Sequence, residues 1–169
     1  MAILNVVTEP ADILLATAKP VTKFDTTLHK LLDDMYDTMV ESEGVGIAAP
    51  QVNESLQAVI VLMNIDAEEA EEEVLELINP EIVEYSTDTN VDLEGCLSIP
   101  EQFGDVERAN GVRVEFEDRF GKTYKLEAIG YDARVIQHEI DHLHGVLFTT
   151  KASKMYTPEE MADMFGEEE

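Results

Sequence analysis

The sequence is poor in cysteine, in basic residues and in long apolar runs, and each shortage excludes something. Its 169 residues include one cysteine, Cys96, so no internal disulfide can form. That thiol is free, metal-bound or reactive, and a reducing compartment fits it. Lysine and arginine number 11 against 37 aspartates and glutamates, a formal charge of -26. Phosphate backbones and anionic lipids would repel such a chain, so contact with bare nucleic acid or an anionic membrane is not expected. The most apolar short stretch, Ala58–Met63, is far too short to span a bilayer. The first seven residues are followed at once by Thr8, Glu9 and Asp12. They have no basic start and no long apolar core, so they do not read as a secretory signal. A cytoplasmic protein is expected. Tryptophan is absent, no repeat is visible, and no proline- or glycine-rich linker divides the chain.

What is present is enough to build one core. The hydrophobic fraction is 44%, ordinary for a globular chain, and the length suits a single domain over residues 1–169. Leu28, Leu31, Leu32, Met35 and Met39 recur three and four apart, which predicts a helix over 25–41 capped by Asp25 or Thr26 and ended near Gly44. Strands are expected at 58–63, 76–79, 82–85 and 96–99. Val112, Val114 and Phe116 alternate with Arg113, Glu115 and Glu117. That alternation predicts a strand over 112–118, turned at 119–122 and paired with 123–128. The acid-dense run 66–76 reads as a solvated excursion. A second helix is expected over 131–144, stopped by Gly145. Thr157, Pro158 and Glu160 make a capping box for a short last helix, so 155–169 reads as a helix with an acidic tail. This order suggests an α+β domain with antiparallel sheets packed around a central helix.

The chemistry concentrates in Gln137-His138-Glu139-Ile140-Asp141-His142. Four residues apart on a helix, His138 and His142 project from one face and can share a metal ion. Glu139 can reach water at that ion as a general base. Ala133, Val135, Ile136, Ile140 and Leu143 make the helix apolar, hence buried, and buried imidazoles without a partner are costly. His144 reads as a helix-end residue that complements the dipole, and His29 as a boundary residue. A catalytic site needs a third protein ligand. Downstream there are only Glu159, Glu160 and the terminal glutamates. Upstream stands Cys96, in Glu94-Gly95-Cys96-Leu97-Ser98; it is either that ligand or an inert buried thiol.

Three segments together resemble the signature motifs of the peptide deformylase family, in order and in spacing. They are Gly44-Val45-Gly46-Ile47-Ala48-Ala49-Pro50-Gln51, Glu94-Gly95-Cys96-Leu97-Ser98 and Gln137-His138-Glu139-Ile140-Asp141-His142. The resemblance covers about residues 1 to 150. It implies a hydrolase that removes the formyl group from the N-terminal formylmethionine of newly made polypeptides and releases formate. It implies one divalent metal ion on Cys96, His138 and His142, iron(II) in the cell, with zinc, nickel or cobalt in a purified sample. Water at that ion would attack the formyl carbon, with Glu139 as base and then acid. Gln51 and the backbone N–H of Leu97 would stabilise the oxygen.

By the same resemblance Val45, Gly46, Gly95, Tyr131, Arg134 (through its stem), Val135 and His138 surround the substrate, and Glu94 pairs with Arg108 to steady the Cys96 segment. Two positions depart from some bacterial members: Arg134 replaces an aliphatic residue, and Phe103 replaces a basic one. The chain also lacks the long basic C-terminal helix of many bacterial forms, as a phage-encoded or organellar copy would. N-formylmethionyl peptides are the expected partners, with no nucleic acid, no membrane and a monomeric state. The rival expectations are another HExxH metallohydrolase, such as a peptidase, or a metal-binding paralogue without catalysis.

Overall fold

The computed structural model describes residues 2–64 and 72–165. Helix α1 (Thr26–Glu41) is followed by strands β1 (Gly46–Ala48), β2 (Ala58–Met63), β3 (Glu73–Tyr85), β4 (Thr89–Cys96), β5 (Ile99–Ala109), β6 (Gly111–Glu117) and β7 (Thr123–Ile129). Helix α2 (Gly130–Leu143), strand β8 (Ala152–Tyr156) and helix α3 (Pro158–Phe165) complete the order. One sheet runs β1-β2-β3-β6-β7 and the other β4-β5-β8, with every pairing antiparallel. Helix α2 packs between them, so the architecture is the α+β arrangement read from the sequence.

Strand β2 shows why one stretch is apolar without interruption. Val59, Val61 and Met63 join the core with α2, while Ala58 and Ile60 join the core with α1. Both faces of the strand are covered, so neither can be polar. At the sheet's far side only one face is covered. There Val112, Val114 and Phe116 are buried while Arg113 is exposed, and the β6–β7 hairpin follows the alternation. A smaller third core of Leu14, Ile99, Val106, Leu147 and Phe148 lies at the three-stranded sheet.

The helix ends follow local chemistry. Asp25 caps α1, its Oδ1 accepting from Leu28 N at 3.1 Å. The Thr157 hydroxyl accepts from Glu160 N at 3.0 Å, and Glu160 accepts from Thr157 N at 2.9 Å, which closes the capping box of α3. Helix α2 stops where Gly145 takes φ 74°.

Four local expectations are corrected. The strands expected at 76–79 and 82–85 are one strand, β3, which crosses Pro80 by a bulge. Asn79 takes φ 51° there, and its side chain bonds both backbone groups of Val21 and Glu117 Oε1. Those bonds replace the ladder contacts that proline cannot make. The strand expected at 96–99 is a tight turn, Cys96 facing Ile99 across the tip of the long β4–β5 hairpin. The acidic run is not all loop: Glu73, Val74, Leu75 and Glu76 belong to β3, and Glu76 pairs with Arg119 at 2.6 Å. Residues 66–71 of that run, and 166–169 of the tail, lie outside the described residues. Met155 and Tyr156 belong to β8 rather than to the last helix. No helix among the described residues is long and apolar enough to cross a membrane.

Candidate metal centre

The hairpin tip and α2 meet at three side chains. Cys96 Sγ, His138 and His142 offer ligand atoms that all lie within 4.8 Å of one another. Cys96 Sγ is 3.3 Å from His142 Nε2. Both histidines are buried, and the cysteine is half-buried. A thiolate with two imidazoles suits zinc, nickel, cobalt or iron(II) better than a hard cation. All four protein positions of a closed structural zinc site are not there: among the described residues the cluster has three members. Cys96 and His138 also line a cavity of about 530 Å³, so the donor set fits a divalent ion with an open position toward that space.

Glu139 faces the same cavity. It is buried, and its Oε1 has no hydrogen-bond partner among the described residues. Burial pushes its carboxyl up to about 7, with the His138 ring opposing and Glu94 reinforcing. Gly46 makes room for it, because a Cβ there would stand 2.7 Å from Glu139 Oε2. The glycine thus accommodates the carboxylate of this chain. Gly95 likewise takes the ring of Phe103, which a Cβ would meet at 2.6 Å. Phe103 therefore packs on the hairpin at the cavity wall.

Gln51 sits in the 3₁₀ turn after β1 and is buried. Its Oε1 accepts from Ala48 N at 2.9 Å, and its Nε2 donates to Ser98 Oγ at 3.2 Å and approaches Cys96 Sγ at 3.6 Å. This fixes the amide at the edge of the ligand cluster. Leu97 occupies the hairpin turn, and Val45, Gly46, Gly95, Tyr131, Arg134 and Val135 line the cavity with it.

A buried charge network lies behind His138. Glu94 accepts from Arg108 Nε and Nη2, each at 2.9 Å, and from His138 Nδ1 at 2.9 Å. Burial alone would raise the Glu94 carboxyl; the bonds from His138 and Arg108 outweigh it and hold it at about 2. Arg108 Nη1 donates to Asp141 Oδ2 at 2.7 Å. Burial and the His138 ring keep His142 uncharged well below its ordinary value. His138 moves the other way, to about 10, because its bonds with Cys96 and Glu94 outweigh burial. A bound divalent ion would displace that proton.

The structure thus brings together Cys96, His138, His142, Glu139, Gln51, Glu94 and Arg108. Arg134 lines the cavity, and its guanidinium bonds Glu94 Oε2 at 2.6 Å. Ser98 and Asp141 were not marked as site residues by the sequence. Asp141 lay inside the HExxH segment, and its position three after His138 was the available signal. Ser98 likewise lay inside Glu94-Gly95-Cys96-Leu97-Ser98.

Comparison with known proteins gives a consistent result. The family model for polypeptide deformylase matches residues 3–157. Peptide deformylase 1 of Bacillus subtilis is 51% identical over 166 residues, 98% of this chain and 100% of that protein. Peptide deformylase 1 of Bacillus cereus is 47% identical, over 95% of this chain and 99% of that one. The crystal structure of peptide deformylase from Thermotoga maritima aligns with TM-score 0.83 and 39% identity, covering 91% of this chain and 100% of that chain. A class I type b peptide deformylase from Acinetobacter baumannii, bound to Met-Ala-Ser, aligns with TM-score 0.82 and 40% identity, covering 89% and 98%.

Proposed function

The chain belongs to the polypeptide deformylase family, and on that premise we propose that it is a metal-dependent hydrolase acting on N-terminal formylmethionine. One observation carries the reading beyond kinship. A buried carboxylate with an unpartnered oxygen, Glu139, shares a cavity with a converging thiol and imidazole pair.

Cys96, His138 and His142 would hold one divalent ion, iron(II) in the cell. Bound there, the ion supplies Lewis acidity and lowers the pKa of water at the site. The chain's own residues perform the remaining tasks. Glu139 takes a proton from the attacking water as its oxygen bonds to the formyl carbon. The C–N bond then breaks, Glu139 returns the proton to the leaving amine, and formate departs. The Gln51 amide and the Leu97 N–H act on the charge that develops on the formyl oxygen. Val45, Tyr131, Val135 and the Arg134 stem form an apolar wall for the methionine side chain. β1 is an edge strand of its sheet, and so is β4 of the other. An extended peptide can pair with either backbone as it enters. The third ligand, a cysteine from the preceding hairpin, speaks against an HExxH peptidase, which takes its third ligand downstream. The reading extends to a monomeric single domain, cytoplasmic and without nucleic-acid contact, in keeping with its charge of -26.

The test is formate release from formyl-Met-Ala-Ser by protein prepared without oxygen and loaded with iron or nickel. Rapid release by wild type is expected, slowed about 10²–10⁴-fold by Glu139→Gln with the metal retained. No release by wild type holding one metal per chain would overturn the proposal.

A further inference from the structure

The candidate ligands come from two separate elements, Cys96 from the β4–β5 hairpin and both histidines from α2. Ligand geometry must be held to about 0.5 Å for a metal site to work, so the braces between hairpin and helix matter. Arg108 is one such brace. Arg134 is another, one helical turn before His138.

The Arg134 side chain is 5% exposed. Its Nη1 donates to Glu94 Oε2 at 2.6 Å and to Val106 O at 2.9 Å. Its Nη2 donates to Asn90 O at 3.0 Å and Asn90 Oδ1 at 2.7 Å. Both terminal nitrogens are thereby committed to β4 and β5, while the residue also lines the cavity. Glu94 in turn has a donor for each lone-pair direction: Arg108 and His138 at Oε1, Arg108 and Arg134 at Oε2. An ionised carboxylate only accepts. His138 Nδ1 therefore donates to Glu94, which leaves Nε2 as the ring atom turned to an ion. Arg108 joins Glu94 to Asp141, and Arg134 adds a second guanidinium to Glu94.

We infer that Arg134 is a positioning residue of the metal site, acting through Glu94 to orient His138. The inference rests on the deformylase reading only in requiring a metal on Cys96, His138 and His142. It separates Arg134 from the pocket wall it also forms, because a wall residue would act on KM and leave the metal alone.

Three proteins decide it: wild type, Arg134→Met and Asn90→Ala, each loaded with cobalt. Release to excess chelator, the visible cobalt spectrum, and kcat and KM on formyl-Met-Ala-Ser are measured. Arg134→Met keeps an unbranched apolar stem and removes the guanidinium. It is expected to release metal about 10–100-fold faster, to alter the cobalt spectrum, and to lower kcat with KM within about twofold. Asn90→Ala removes one anchor of the guanidinium and leaves Glu94 paired, so its release and spectrum should match wild type. Arg134→Met that holds metal like wild type, or that loses it no faster than Asn90→Ala, overturns the inference. Should Arg134→Met not fold, Arg134→Lys takes its place: one charged contact to Glu94 remains, and faster release than wild type is expected. Release equal to wild type would overturn the inference there too. Wild type that binds no cobalt would overturn the deformylase reading as well; wild type that binds it beside an unchanged Arg134→Met overturns the inference alone.

Discussion

Arginine meets carboxylate in two regions of this molecule, and the two pairings differ in everything except chemistry. Behind the ligand cluster, the side chains of Arg108, Arg134 and Glu94 are 2%, 5% and 5% exposed. On the outer face of the five-stranded sheet, Arg113 bonds Glu84 at 2.9 Å and Glu127 at 2.6 Å, with all three side chains more than half exposed. Water screens the outer group, and holding long side chains in place costs entropy, so it contributes little. The inner group has lost its water. Each of its members depends on the others, since an unpaired buried charge is costly. The same bond is surface decoration in one place and the frame of a site in the other.

Cutting the inner group should have the largest effect. Glu94→Ala leaves two buried guanidiniums without their shared partner and His138 Nδ1 without its acceptor. A loss of about 3–5 kcal/mol is expected by denaturant unfolding, with metal content falling alongside. A loss below about 1 kcal/mol would place the inner group with the outer one.

Disturbing the site without touching a charge is the next test. Gly46→Ala sets a methyl 2.7 Å from Glu139 Oε2. A displaced base should lower kcat/KM by about 10²-fold, with metal still bound. Activity equal to wild type would show that the Glu139 carboxylate has room to work elsewhere. The smallest effect belongs to the outer group. Arg113→Ala should change stability by less than about 0.5 kcal/mol and leave formate release unaltered. A larger change would mean that exposure fails to separate the two groups.

Legibility in the sequence followed the same division. The HExxH pair could be read because its partners lie four apart on one helix, where spacing alone sets the face. The β6–β7 hairpin could be read because one side is buried and the alternation is clean. The β4–β5 hairpin could not, because Thr89, Asn90, Asp92, Glu94, Glu101, Gln102, Asp105 and Glu107 leave it little apolar alternation. Its turn at Cys96 was mistaken for a strand for that reason. Pro80 disguised β3 as two strands, since the bulge that carries the chain past it relies on Asn79 and the distant Val21. The guanidinium of Arg134 was unreadable for a related reason. Its acceptors lie 28 to 44 residues away, and no local pattern encodes a contact of that range. Glu94 and Arg108 entered only through the family resemblance, and they stand 14 positions apart along the hairpin.

The central claim is that a hairpin tip and a helix jointly hold one ion through Cys96, His138 and His142. The most direct test is the absorption spectrum of the cobalt-loaded protein, titrated to saturation, for wild type and Cys96→Ala. One cobalt per chain with a thiolate-to-metal band in wild type, and no such band in Cys96→Ala, is the expected result. Cobalt bound by wild type without that band would contradict the claim.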